Sequence, residues 1–261
     1  MKKFDIVIGN GCSFTQGGGL NEYETYKYLT GIDEKDPTKL ESFMFKNSYP
    51  AFLGKLLNCK WYNNSVGCAS NDLILQRGMD IVKQFRNKKT LIINQLSIPS
   101  RLGIRKENKY ISLNNTDGKL VYDISNENLK NAIYHPYSND KEDKIVDFYK
   151  KYLLDIYDVS AHWKTISYMM ELYNGWCEKN NVLNYWLLYS QGEYMTDTFK
   201  NVFNIDRVIK VQPNSKDIYK QTICNWSEQN VYLRTLKALN DDSHLSIEGH
   251  EELANIIYNQ I

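Results

Sequence analysis

Two short stretches near opposite ends of the chain carry residue types that together suit nucleophilic chemistry by a serine hydroxyl with an imidazole as its base. The first is Gly9-Asn10-Gly11-Cys12-Ser13-Phe14-Thr15-Gln16-Gly17, directly after the apolar run Phe4 to Ile8. That run reads as a buried strand, and Gly9 and Gly11 are expected to let the backbone turn sharply after it. Ser13 then stands just past a strand, where an open α/β sheet presents its ligand crevice. A serine there offers a hydroxyl nucleophile, with its own N–H pointing the same way. The plainer reading is a glycine-rich turn whose serine caps a helix. The second stretch is Asp241-Asp242-Ser243-His244-Leu245-Ser246-Ile247-Glu248-Gly249-His250. An Asp three residues ahead of a His, on a loop, can accept the imidazole Nδ1–H, leaving Nε2 to take a proton from a serine hydroxyl. Asp242 competes for that role, and the Asp-x-x-His spacing favours Asp241. His250 is expected to pack inside the last helix. Cys12 raises a thiol nucleophile, yet alternation along the chain turns its side chain away from that of Ser13, so a structural thiol is expected.

The elements that must position these residues alternate. Tyr49 to Leu57 reads as a helix with Pro50 in its first turn. Trp61 to Ser65 reads as a second strand, and Ser70 or Asp72 as the cap of a helix carrying Leu73, Ile74, Ile81, Val82 and Phe85 at helical spacing. Thr90 to Leu96 is a third, central strand. This β-loop-α rhythm is the signature of a parallel sheet with crossover helices. The polar stretch from Gly17 to about Lys46 is expected to be a long loop draped over the site. Residues from about 102 to 144 break the rhythm. There Tyr110 to Ser112 and Leu120 to Ile124 flank Asn115-Thr116-Asp117-Gly118, a hairpin signal, and the region reads as an insertion, either a lid or a surface excursion. A helical pattern follows from Ile145 to about Lys179, with Trp163, Ile166, Met170, Tyr173 and Cys177 as its apolar stripe. Val182 to Tyr189 and Arg207 to Val211 are expected as the fourth and fifth strands. A last helix runs from about Ser246 to Ile261.

Composition narrows the function. With 32 Lys+Arg against 31 Asp+Glu there is no basic surface for tracking phosphates, so nucleic acid is not an expected partner. No apolar run approaches a bilayer-spanning length, and Met-Lys-Lys leads straight into a strand pattern rather than a secretory signal. The five cysteines are odd in number and scattered, which fits free thiols in the cytoplasm better than a disulfide framework or a zinc site. A Walker loop would need Gly-Lys-Ser/Thr after the first strand, and the dinucleotide fingerprint would need glycine where Phe14 stands. Neither cofactor nor metal is therefore expected. The 20 tyrosines and five tryptophans suit core packing, and a minority lining a sugar cleft is compatible with them.

Taken together, the two ends resemble the SGNH (GDSL-type) serine hydrolases. Gly11-Cys12-Ser13-Phe14-Thr15-Gln16-Gly17 is similar to the family's first block, with Cys12 in place of the usual Asp, as in the Gly-Cys-Ser-Phe-Thr branch of phage and bacterial genomes. Asn63-Asn64-Ser65-Val66-Gly67-Cys68-Ala69-Ser70-Asn71-Asp72 resembles the second block, which supplies an oxyanion-hole glycine. Asp241-x-x-His244 with the following Leu-Ser-x-x-Gly-His resembles the fifth. Two departures stand out. The register set by Ser70-Asn71 puts Cys68 rather than Gly67 at the glycine position. The third block, Gly-x-Asn-Asp, is missing after the third strand, where Asn94, Gln95 and Ser97 are the substitutes and Ser97, at the strand end, is preferred.

The resemblance implies a single domain over residues 1–261 with the insertion at about 102–144. Its fold would be a flavodoxin-like three-layer α/β/α sandwich on five parallel strands. It also implies acyl transfer to water. Ser13 would attack, His244 would act as base and then acid, Asp241 would orient the imidazole, and N–H groups of Ser13 and of Gly67 or Cys68 would hold the oxyanion. The expected substrate is a small ester, with a lean toward O-acetyl groups on a carbohydrate. The alternatives are a binding or structural protein that keeps the fold with weakened catalysis, and an acyltransferase.

Overall fold

The computed structural model describes residues 3–99, 101–106, 109–113, 118–123, 133–136, 151, 158–189, 197–217, 221–223, 226 and 244–261. Asp241, Asp242, the turn at 114–117 and most of the helical pattern ahead of 158 lie outside them.

The chain opens with β1 (Ile6–Asn10), buried along its whole length, and the single turn α1 (Ser13–Gln16). The expected loop up to Lys46 instead holds two helices, α2 (Tyr23–Thr30) and α3 (Pro37–Lys46). Their signals are local and sit inside a polar composition. Gly31, at φ 71°, ends α2, while the Asp36 carboxylate accepts the Thr38 N–H at 2.9 Å and Pro37 opens the first turn of α3. Next come α4 (Tyr49–Leu56), β2 (Lys60–Asn63), α5 (Asn71–Gln84) after its N-cap Ser70, and β3 (Thr90–Leu96). The 102–144 region contributes β4 (Leu102–Lys106), β5 (Lys109–Leu113), β6 (Gly118–Asp123) and β7 (Ile133–Pro136). These four pair in sequence as a separate antiparallel sheet, so the hairpin foreseen from Asp117-Gly118 is its β5–β6 pair. The rest is α6 (Val159–Lys179), β8 (Val182–Leu188), α7 (Phe199–Phe203) and α8 (Ile247–Tyr258).

The main sheet is parallel, in the order β2-β1-β3-β8. The expected fifth strand over Arg207 to Val211 is reduced to an isolated parallel bridge between Trp186 and Val208. Trp186 N–H donates to the Arg207 carbonyl at 2.9 Å, and Ile209 N–H donates to that of Trp186 at 2.8 Å. Arg207 itself sits at φ 68°, a left-handed conformation that stops an extended run where it would begin.

Helices cover both faces of the sheet. One hydrophobic cluster joins Val7, Leu91, Ile93 and Leu187 to Tyr49 and Leu53 of α4 and Leu253, Ala254 and Ile257 of α8. The other joins Ile8, Ile92 and Trp186 to Ile81 and Val82 of α5 and to Trp163, Ile166, Met170, Tyr173 and Cys177 of α6. The α6 stripe is thus core, as its spacing predicts. β1 is flanked by β2 on one side and β3 on the other, so the chain reverses direction of winding there. In such sheets the crevice beyond the carboxyl ends of the two central strands is where ligands bind.

Candidate active site

Ser13 begins α1 at that crevice, three residues beyond the end of β1. Its carbonyl accepts two backbone N–H groups, from Gly17 at 3.0 Å and Gly18 at 2.8 Å, which closes the loop tightly on itself. Neither Gly9 nor Gly11 adopts positive φ; the turning glycines are Gly17 at 92° and Gly19 at 82°. Gly11 is required for another reason, because a Cβ there would overlap the Thr15 hydroxyl and lie 2.9 Å from Gln95 Cβ. Cys12 is buried in the core, where its Sγ accepts the Gln95 Nε2–H at 3.1 Å. It is a structural thiol.

His244 reaches this turn from the far end of the sequence. Its ring lies on that of Phe14, centroids 4.7 Å apart, and Phe14 also meets Tyr189 at 4.4 Å. The imidazole also rests against Gly18, where a Cβ would come within 2.8 Å of both Nε2 and Cδ2. Gly18 therefore leaves the room that the ring fills. Behind it, buried Leu245 and the N-cap Ser246, whose Oγ accepts the Gly249 N–H at 3.0 Å, fix where α8 starts. The loop after β2 completes the third side. Gly67 faces Ser13, since a Cβ on it would lie 3.9 Å from Ser13 Cβ and 3.2 Å from Gln16 Oε1. Cys68 follows at φ 55°. Ser13, Gly67, Cys68 and His244 are all half-buried as residues, while the Nε2 atom of His244, turned toward Gly18, is itself buried.

Ser97 differs. It is fully buried, its N–H donates to Asn71 Oδ1 at 2.7 Å, and its hydroxyl accepts from Arg101 Nη1 at 2.6 Å. Asn71 Nδ2 in turn reaches the Ser97 carbonyl at 3.3 Å. These bonds tie the end of β3 to the start of α5, and both the N–H and the hydroxyl of Ser97 are engaged in them. Asn94 and Gln95, the other substitutes weighed for the missing third block, are also fully buried.

A second polar group supports the turn from the α4/α8 face. The Thr15 hydroxyl donates to Gln95 Oε1 at 2.6 Å and lies 3.4 Å from the Tyr49 hydroxyl. The Tyr49 N–H donates to His250 Nδ1 at 3.3 Å, and the two rings stack. Burial, with a smaller electrostatic contribution from nearby His244, pushes the His250 pKa down to about 3, so this imidazole is neutral. His250 packs, as expected from its place in the helix, and also accepts a bond that no spacing rule reveals. Asn94-Gln95, two amides inside an otherwise hydrocarbon strand, were the available signal for this layer.

No family model and no curated protein matches the sequence. Among solved structures the chain is similar to a protein from Desulfitobacterium hafniense assigned to the lipolytic G-D-S-L family. That match has a TM-score of 0.44 and 13% identity, covering 98% of this chain and 99% of the other. It is also similar to the psychrotrophic esterase EstA from Pseudoalteromonas sp., with a TM-score of 0.45 and 9% identity over 98% and 96% of the two chains. A third match, at TM-score 0.40 and 11% identity, is a carbohydrate esterase described as having divergent catalytic and non-catalytic binding functions, of which 68% is covered. Likeness at this level assigns neither family nor activity, so the functional argument rests on the site. Among the described residues, no helix is long and apolar enough to cross a membrane.

Proposed function

We propose that the protein is a serine esterase of the SGNH type, acting as one domain with the 102–144 region as an insertion. Ser13 Oγ attacks the ester carbonyl while His244 Nε2 takes its proton. The tetrahedral oxyanion is held by the N–H of Ser13 and that of Gly67 or Cys68. Collapse passes the proton from His244 to the departing alcohol and leaves an acyl group on Ser13. Water, deprotonated by His244, then releases the acid and restores the hydroxyl. Asp241 is assigned to the Nδ1 side of the imidazole. The observation that carries this reading is the packing of His244 against Phe14 and Gly18, residues of the turn that holds Ser13, although more than two hundred positions separate them in sequence. The proposed substrate is a small acyl ester, acetyl on a carbohydrate hydroxyl being the preferred case.

The burial of Ser97 favours a second reading, a slow enzyme or a binding protein, because one oxyanion donor is typically worth about 10²–10³ in rate. Hydrolysis of p-nitrophenyl acetate by wild type and Ser13→Ala separates the two. Release well above background by wild type alone supports the esterase; background release by both supports binding. Product analysis with an added sugar acceptor distinguishes hydrolysis from acyl transfer.

A further inference from the structure

On the α5/α6 face the sheet carries a continuous line of amides through what is otherwise hydrocarbon. Arg77 Nη2 donates to Asn64 Oδ1 at 3.1 Å, and Asn64 Nδ2 donates to Asn10 Oδ1 at 3.0 Å. Asn10 Nδ2 donates to Asn94 Oδ1 at 2.6 Å, Asn94 Nδ2 to Asn184 Oδ1 at 2.6 Å, and Asn184 Nδ2 to Asn174 Oδ1 at 2.7 Å. Trp186 Nε1 closes the line on Asn174 at 2.9 Å. From Arg77 to Asn184 the donors run one way, from a guanidinium at one edge toward α6 at the other, and the Asn184 and Trp186 donors converge on Asn174 Oδ1. Each amide therefore polarises the next.

Asn10, Asn94 and Asn184 are fully buried and Asn64 nearly so. Burying an amide costs free energy unless its bonds are complete, and a hydrocarbon there would hold the layers together as well. What the line adds is position. Asn10 stands three residues before Ser13, and Asn64 three before Gly67. The backbones of the same two segments are stitched by Asn64 N–H to the Gly9 carbonyl at 2.7 Å and Val66 N–H to the Gly11 carbonyl at 3.0 Å. Arg77 grips the Asn64 carbonyl as well, through Nε at 3.0 Å and Nη2 at 2.9 Å, and Asn10 Nδ2 also reaches the Ile74 carbonyl at 2.7 Å.

We infer that Asn64 and Asn10, backed by Arg77, are positioning residues that set the separation between the nucleophile turn at Ser13 and the oxyanion turn at Gly67. This rests on the esterase reading for its catalytic consequence, whereas the mechanical coupling of the two turns does not. A displacement on the order of 1 Å between reacting groups costs about 10²-fold in rate, so a pair of amides at this place can govern kcat without touching substrate.

The test compares Asn64→Leu with Asn184→Leu, which removes an amide from the same line at a site remote from both turns. Hydrogen exchange, melting temperature, and kcat and KM for p-nitrophenyl acetate are read on the full chain. In Asn64→Leu, exchange is expected to quicken together in residues 9–18 and 63–70, with kcat reduced about tenfold or more and KM within about threefold of wild type. In Asn184→Leu a similar loss of melting temperature should leave both segments protected and kcat within about threefold. Arg77→Leu, at a half-buried position, should reproduce the Asn64→Leu pattern at smaller size and serves if Asn64→Leu does not fold. Unchanged exchange in the two segments, or equal kcat losses in Asn64→Leu and Asn184→Leu, overturns the inference. An inactive wild type sinks the esterase reading alone, and exchange still decides the coupling.

Discussion

The two halves of the central strands β1 and β3 are equally buried and chemically opposite. In β3, Leu91, Ile92 and Ile93 are followed by Asn94 and Gln95, all without solvent exposure. In β1, Ile6, Val7 and Ile8 give way to Asn10 in the same manner. The hydrocarbon half holds the layers together through area removed from water, a force without direction. The amide half joins specific atoms: the Asn10 line on one face, and Thr15, Gln95 and Cys12 on the other. It lies beneath the turn that bears Ser13. The contrast teaches that this end of β1 and β3 is built for position and the other for cohesion.

The comparison breaks most decisively at the residues the amide half positions. Ser13→Ala and His244→Ala should each lower kcat/KM by about 10³-fold or more in an ester-release assay, with the melting temperature nearly unchanged. Gly18→Val comes next. Its Cβ would press on the His244 ring, and kcat should fall about 10–100-fold while KM stays put. A pair of substitutions then sharpens the contrast between the halves. Thr15→Val should cost about 1–3 kcal/mol by denaturant unfolding and lower kcat, because Gln95 Oε1 loses its donor. Ile92→Val should cost about 0.5–1.5 kcal/mol and leave kcat alone.

The remaining effect concerns pH and is read on stability alone. Burial holds His250 at about 3 and His162, in the first turn of α6, at about 4, below the ordinary value of 6.5. Between those values and 6.5 the unfolded chain binds protons that the folded chain refuses. Stability is therefore complete above about pH 6.5 and falls as pH drops toward 4, by about 1.4 kcal/mol per unit for each histidine. Unfolding curves at several pH values should show that slope, reduced by half in His162→Gln.

Most of the parallel framework was legible because apolar runs bounded by glycine and polar turns are local signals: Thr90 to Leu96 is β3, and the Ile166-Met170-Tyr173-Cys177 stripe is the buried side of α6. The helices α2 and α3 were hidden because a polar composition hid a proline and an Asp cap. The fifth strand failed at one backbone angle, that of Arg207, which no hydrophobic pattern reports. In the site, sequence pointed to Ser13, Gly67 and His244, residues whose types are chemically suggestive. It passed over Gly18 and Asn64, whose value lies wholly in what the fold brings beside them. Ser97 is favoured by its place at a strand end, and spacing does not report that its N–H and hydroxyl are taken up by Asn71 and Arg101.

The identity of the nucleophile is open to a direct measurement: treat the native chain with a fluorophosphonate and map the adduct by peptide mass spectrometry. A single adduct on Ser13, abolished in His244→Ala, is the predicted result. No adduct on wild type, or one carried by another residue and retained in Ser13→Ala, would contradict it.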